Sequence, residues 1–297
     1  MKVTRLDLDG TGSPMGLVTK ILQTEKALPI PVPIEDLALQ LDIEKIAALE
    51  TEGFEGGLLT DENRATGIIL VNEAAQAGRR RFTIGHELGH FLMLRHKPVE
   101  AGKFLCSRED MRRWTSDQND RYARMEVEAN QFAALLLMPP PALRKFIQQK
   151  GSPDLQHVVE LAKHFNVSKE AAARAYAQYH DEIIAILVTH NDLVIRAHTS
   201  PKFPRISAPF GKRVPVASVY HGRSLQRRVA SDVVDTVADT WIEVEYGQRA
   251  PELFEQVYLQ QGNFALIMLW VEMPDEDDVD DDRTSKQRLQ DRLSRYR

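Results

Sequence analysis

The chain has 297 residues, 43% hydrophobic and 27% charged, with a formal net charge of −5. This is ordinary globular composition with ample material for a core. It excludes the global basic field that nucleic-acid binding uses. No run approaches the ~18–20 apolar residues of a membrane span, and "MKVTRLDLDG" lacks an apolar h-region, so neither a membrane segment nor a signal peptide is expected. The one cysteine, Cys106, can form no intrachain disulfide and suits a reducing, cytoplasmic setting. An ordinary lone Cys is the expected reading, ahead of a reactive or metal-capping thiol.

In chain order, residues 1–26 read as an N-terminal extension with a short helix near Leu17–Lys26. The prolines at 29, 31 and 33 force extended backbone. "IEDLALQLDI" reads as a helix, and "GFEGGLL" and "ATGIILVN" as two strands. The second of these strands is a candidate open edge for an extended partner. A helix over about Thr83–Arg95 follows, then an irregular polar stretch, 97–117. A helix over about Asp120–Leu137 must stop at "MPPP". A third runs from Pro141 to Gln149.

"DLQHVVELAKHF" and "SKEAAARAYAQYH" form a pair with helix-turn-helix spacing, residues 151–180. Its second helix offers only Lys169, Arg174 and Gln178 among alanines, so a pair packed on the N-terminal core, not a direct DNA reader, is expected. Residues 181–273 read as a separate α+β domain. Its expected strands are "IIAILVTH", "LVIRAHTS", "WIEVEYG", "LFEQVYLQ" and "FALIMLWVEM", with a helix over about Ser224–Ala238. Residues 275–282 hold seven acidic side chains in eight positions, and six basic residues follow. A disordered, solvated tail over 274–297 is expected.

The chemistry concentrates in "RFTIGHELGHFLMLRH", residues 81–96. Residues four apart share a helix face, so His86 and His90 can meet one ion. Glu87 then borders the metal site as a general base for water. A tetrahedral catalytic zinc needs a third protein ligand. His96 lies six residues after His90, but Met93 occupies the place where a glycine would turn the chain back. His96 is therefore expected near the helix C-terminus, where a cation is favoured. The stronger candidate is Glu126, with Asn130 one turn later able to orient a histidine from behind. Glu128 points about 200° away from Glu126 on the same helix and is expected to be a solvated acid. Gly89 suggests close helix packing at a cost of about 1 kcal/mol in propensity. For an oxyanion donor, Arg121, Tyr122, Arg124 and His96 stay open.

"RFTIGHELGHFLM" followed by "EVEANQFAALLLMP" resembles the ImmA/IrrE family of metallopeptidases. The resemblance covers roughly residues 27–178, with Gly85 where Ala is more usual. It implies an α+β, zincin-like metallopeptidase domain over 27–150, with a small sheet and zinc helix. It also implies Zn2+ held by His86, His90 and Glu126, with Glu87 as catalytic base. Residues 181–273 resemble the sensor-like domain of IrrE-type members. Family members act on Xre-type helix-turn-helix repressors, which implies an endopeptidase that derepresses stress or mobile-element genes. The alternative is a non-enzymatic transcription regulator or antitoxin-like protein with a vestigial metal site.

Overall fold

Ser13 starts the first helix, α1 (Pro14–Thr24). Its Oγ accepts from the Gly16 amide, and Pro14 occupies the first turn, where no amide partner is needed. The computed structural model describes residues 1–50, 53–98, 100–117, 119–208, 210–222, 224–244 and 250–272. The expected tail, 274–297, lies outside the described residues. The chain divides into two units: Met1–Ala142 with Lys163–Ser168, and Leu143–Ala162 with the chain from Lys169 on. Both are mixed α+β.

The first unit continues with α2 (Ile34–Gln40), β1 (Ile43–Ala48), β2 (Phe54–Thr60), β3 (Gly67–Val71), α3 (Ala77–Leu92), β4 (Lys103–Ser107) and α4 (Arg121–Leu137). Its four-stranded sheet runs β1-β3-β2-β4, with β1 parallel to β3 and the other pairs antiparallel. Leu17, Val18 and Ile21 of α1 join the core beneath this sheet, along with Ile69 and Val71 of β3. From α3, Ile84, Leu88 and Phe91 are fully buried in it. Each such side chain contributes roughly 1.5–3 kcal/mol. Helix α4 begins at Asp120, whose carboxylate accepts from the Ala123 amide at 2.8 Å, and ends before the prolines.

Several expectations change here. Strand β3 is flanked by β1 and β2 and has no open edge; among the described residues the outer strands are β1 and β4. Strand β4 lies in the stretch read as irregular. Its alternation is short but real, with Phe104 and Cys106 buried between half-buried neighbours. Helix α3 begins at Ala77, six residues before the expected start.

In the second unit, α5 (Pro140–Gln148), α6 (Leu155–Phe165) and α7 (Lys169–Tyr179) precede β5 (Ile183–His190), β6 (Leu193–Thr199), β7 (Val234–Thr236), β8 (Glu252–Leu259) and β9 (Phe264–Glu272). The strands form one antiparallel sheet in the order β6-β5-β9-β8-β7. Helix α7 packs on β5 and β6, while the segment joining the two helices, Lys163–Ser168, belongs to the first unit, where Val167 packs against its core. Lys169 lies over the Tyr258 ring and Arg174 is half-buried. The expected helix over Ser224–Ala238 is instead loop and strand. Ser231 exchanges hydrogen bonds with Val257 of β8, and β7 pairs alongside. The valines and threonine there suit a sheet edge better than a helix interior. "WIEVEYG" forms no strand over Trp241–Val244, and residues 245–247 lie outside the described residues.

Candidate metal centre

Three elements of the first unit converge. Helix α3 brings His86, Glu87 and His90; α4 brings Glu126 and Asn130; β4 brings Cys106. All are buried. Helices α3 and α4 approach closely because α3 carries glycines where they meet. A Cβ on Gly85 would stand 3.2 Å from the Ala133 Cβ, and one on Gly89 would stand 3.1 Å from the Phe132 ring. That proximity lets the short reach of Glu126 span to the histidines.

The Nε2 atoms of His86 and His90 are 3.1 Å apart. Glu126 places Oε2 3.2 Å from His86 Nε2 and Oε1 3.4 Å from His90 Nε2. Cys106 Sγ is 3.2 Å from His86 Nε2 and 3.7 Å from His90 Nε2. One donor atom from each of the four residues lies within 4.8 Å of every other. A tetrahedral zinc with bonds of about 2.0–2.1 Å to N or O and about 2.3 Å to S requires edges of about 3.3–3.6 Å between its ligands. The observed spacings bracket that range, so the residues fit a zinc ion.

The rear nitrogens of both rings are satisfied. Asn130 Nδ2 donates to the carbonyls of Asp110 and Arg113, both at 2.8 Å, which fixes its amide with Oδ1 toward His86. His86 Nδ1 donates to that oxygen at 2.9 Å, leaving the Nε2 lone pair free. His90 Nδ1 faces His96 Nδ1 at 3.0 Å, and His96 Nε2 faces Glu128 Oε2 at 2.8 Å. Neutral His96 donates to Glu128 and accepts from His90, so His90 also presents a free Nε2 lone pair.

The expectation of a cationic His96 therefore fails. Burial drives its pKa far down, and the neighbouring His90, Arg95 and Arg64 add to this. Glu128 is not a free surface acid either, since it also pairs with Arg95 at 2.7 Å. The Arg64 guanidinium closes the end of α3, donating to the carbonyls of His90, Met93 and His96.

Burial alone would raise the Glu126 pKa. The imidazoles of His86 and His90 set against it reverse this and hold it well below the usual carboxylate range. Glu87 is different. Burial pushes it up to about 8 against the pull of His86. Its carboxyl meets the Cys106 thiol, and no N–H or O–H donor among the described residues reaches its two oxygens. It has space because β2 carries Gly56 there; a Cβ at that position would stand 2.8 Å from Glu87 Oε1.

The residues expected at the site, His86, Glu87, His90, Glu126 and Asn130, are thus brought together. Sequence reasoning set a metal-capping Cys106 behind an ordinary lone cysteine, and missed Gly56 and the His96–Glu128 pair. Cys106 carried one signal, its alternation with Phe104 along β4.

Residues 44–176 match the IrrE N-terminal-like domain, Peptidase M78. Over 132 residues the chain is 30% identical to the radiation response metalloprotease IrrE of Deinococcus radiodurans, covering 42% of this chain and 34% of that protein. The chain thus spans about a third of the relative's length. A solved structure of a Mycobacterium tuberculosis transcriptional regulator is similar in fold, with a TM-score of 0.54 and 14% identity over 87% of this chain and 76% of that one. The matched segment, residues 44–176, holds His86, Glu87, His90, Cys106, Glu126 and Asn130, so the likeness to this metallopeptidase domain includes the whole metal centre.

Proposed function

We propose that this chain is a cytoplasmic zinc endopeptidase that cleaves a helix-turn-helix repressor of the Xre type. The observation that carries the reading is Glu87, a fully buried carboxyl beside a His86–His90–Glu126 set. A metal kept only for structure needs no such group. Zinc, when bound, polarises the scissile carbonyl and lowers the pKa of a water molecule to about 7. Glu87 takes a proton from the attacking water and passes it to the leaving amine. Asn130 and His96 hold the two imidazoles in the tautomers that ligation requires.

Tyr122, one turn before Glu126 on α4, is the oxyanion donor this reading favours. Burial, with Glu126 and Asp110 nearby, pushes its phenol up, so it stays a proton donor. His96 is unsuited to that role because both of its ring nitrogens are engaged. An extended substrate would pair with the outer edge of β4, which carries Cys106. The matched domain and the metalloprotease relative support peptidase chemistry, and the radiation response for which that relative is named supports a stress-response setting.

The test is co-expression with the Xre-type repressor encoded nearby, using wild type and Glu87→Gln. Shortening of the repressor by wild type alone is expected. An intact repressor with both proteins under inducing conditions would favour a regulator without catalysis.

A further inference from the structure

A peptidase site built on His86, His90 and Glu126 has no evident use for a thiol, yet Cys106 is placed among those ligands. Its Sγ is 3.2 Å from His86 Nε2 and 3.7 Å from His90 Nε2. Both spacings lie near the edge of about 3.6 Å expected between sulfur and nitrogen on one tetrahedral zinc. The backbone holds it there. Cys106 is registered opposite Gly56 in the β2–β4 ladder. Gly56 is the residue whose missing side chain makes room for Glu87. The thiol therefore stands between the ligand cluster and the base, where an attacking water would need to be. Glu87, fully buried, meets that thiol and has no N–H or O–H donor on its oxygens among the described residues.

Two histidines, one carboxylate and one thiolate make a complete tetrahedral set. Structural zinc sites are closed in this way, whereas catalytic ones keep a position for water. We propose that Cys106 is a fourth ligand that closes the metal site and keeps the chain latent. Opening is a ligand exchange, thiolate out and water in, with no change of oxidation state. The ligation itself stands on the cluster geometry; its meaning as latency rests on the peptidase reading.

The test replaces zinc with cobalt(II) in the full-length chain and reads the absorption spectrum with and without added azide. Wild type and Glu87→Gln are expected to show a near-ultraviolet thiolate-to-cobalt charge-transfer band. Their visible bands should be those of four-coordinate cobalt and should not move with azide. Cys106→Ser and Cys106→Ala are expected to lose the charge-transfer band, to keep visible bands, and to shift them on adding azide. A wild-type spectrum with visible bands but no charge-transfer band overturns the proposal and leaves the peptidase reading intact. A wild-type band with azide-sensitive visible bands overturns the closure. Failure of wild type to bind cobalt at all overturns both readings together.

Discussion

His90 and His96 face each other through their Nδ1 atoms at 3.0 Å, and His96 in turn rests on Glu128 at 2.8 Å. This chain gives His90 one usable tautomer, with Nε2 free for a metal. Outer partners of this kind are worth about 10–100-fold in metal affinity. His96→Phe, which keeps a ring but cannot accept from His90, should weaken zinc binding by that factor. Glu128→Gln should weaken it less, because the amide can still accept from His96. Competition with a chromophoric chelator measures both; unchanged affinity in His96→Phe would show that His90 needs no such partner.

Gly56 leaves space for Glu87. An added methyl would clash with Thr83 and come within 2.8 Å of Glu87 Oε1. Overpacking a buried site costs about 1–3 kcal/mol. Gly56→Ala should lower unfolding stability by that amount and reduce peptidase activity beyond what metal content explains. Denaturant melts paired with metal analysis test this, and a variant as stable and active as wild type would refute the tight fit.

Arg64 donates to the carbonyls of His90, Met93 and His96 at the end of α3. Arg64→Met would leave those buried acceptors unpaired, at about 1–3 kcal/mol. The expected outcome is a lower melting temperature together with weaker metal binding, since the same turn carries His90. A melting temperature within error of wild type would count against the capping role.

The second unit carries a pH dependence of its own. Burial, helped by Arg174 and Arg196, pushes His198 down to about 4 from an ordinary 6.5. As pH falls, the unfolded chain takes the proton first. The stability associated with the neutral ring is complete above about pH 6.5 and is lost between there and pH 4. The full shift corresponds to roughly 3 kcal/mol as an upper bound. His198→Gln should flatten the stability profile across that window, read by denaturant melts from pH 7 to 4. Parallel profiles for the two proteins would mean that the ring titrates normally.

Much of the site was legible because its geometry is local. His86, Glu87 and His90 sit on one helix whose period is fixed, and Glu126 and Asn130 repeat the four-residue spacing on another. What stayed hidden depends on strand pairing, which sequence order does not reveal. Cys106 reaches the site only because β4 pairs with β2, and β4 is a five-residue strand bounded by polar turns. Gly56 reads as an ordinary strand glycine until Glu87 is seen against it. His96 was misjudged because the helix ends at Leu92 and the chain turns back. The supposed helix over Ser224–Ala238 failed for a similar reason. Its backbone partners lie in β8, from 17 residues downstream at Thr236–Leu253 to 31 at Arg228–Leu259.

The most direct test of the account is native mass measurement of zinc on the full chain, for wild type, Glu87→Gln and Glu126→Ala. One zinc is expected on wild type and on Glu87→Gln, and loss of most of it from Glu126→Ala. Absence of metal from wild type, or equal retention by Glu126→Ala, would contradict a metal centre shared by α3 and α4.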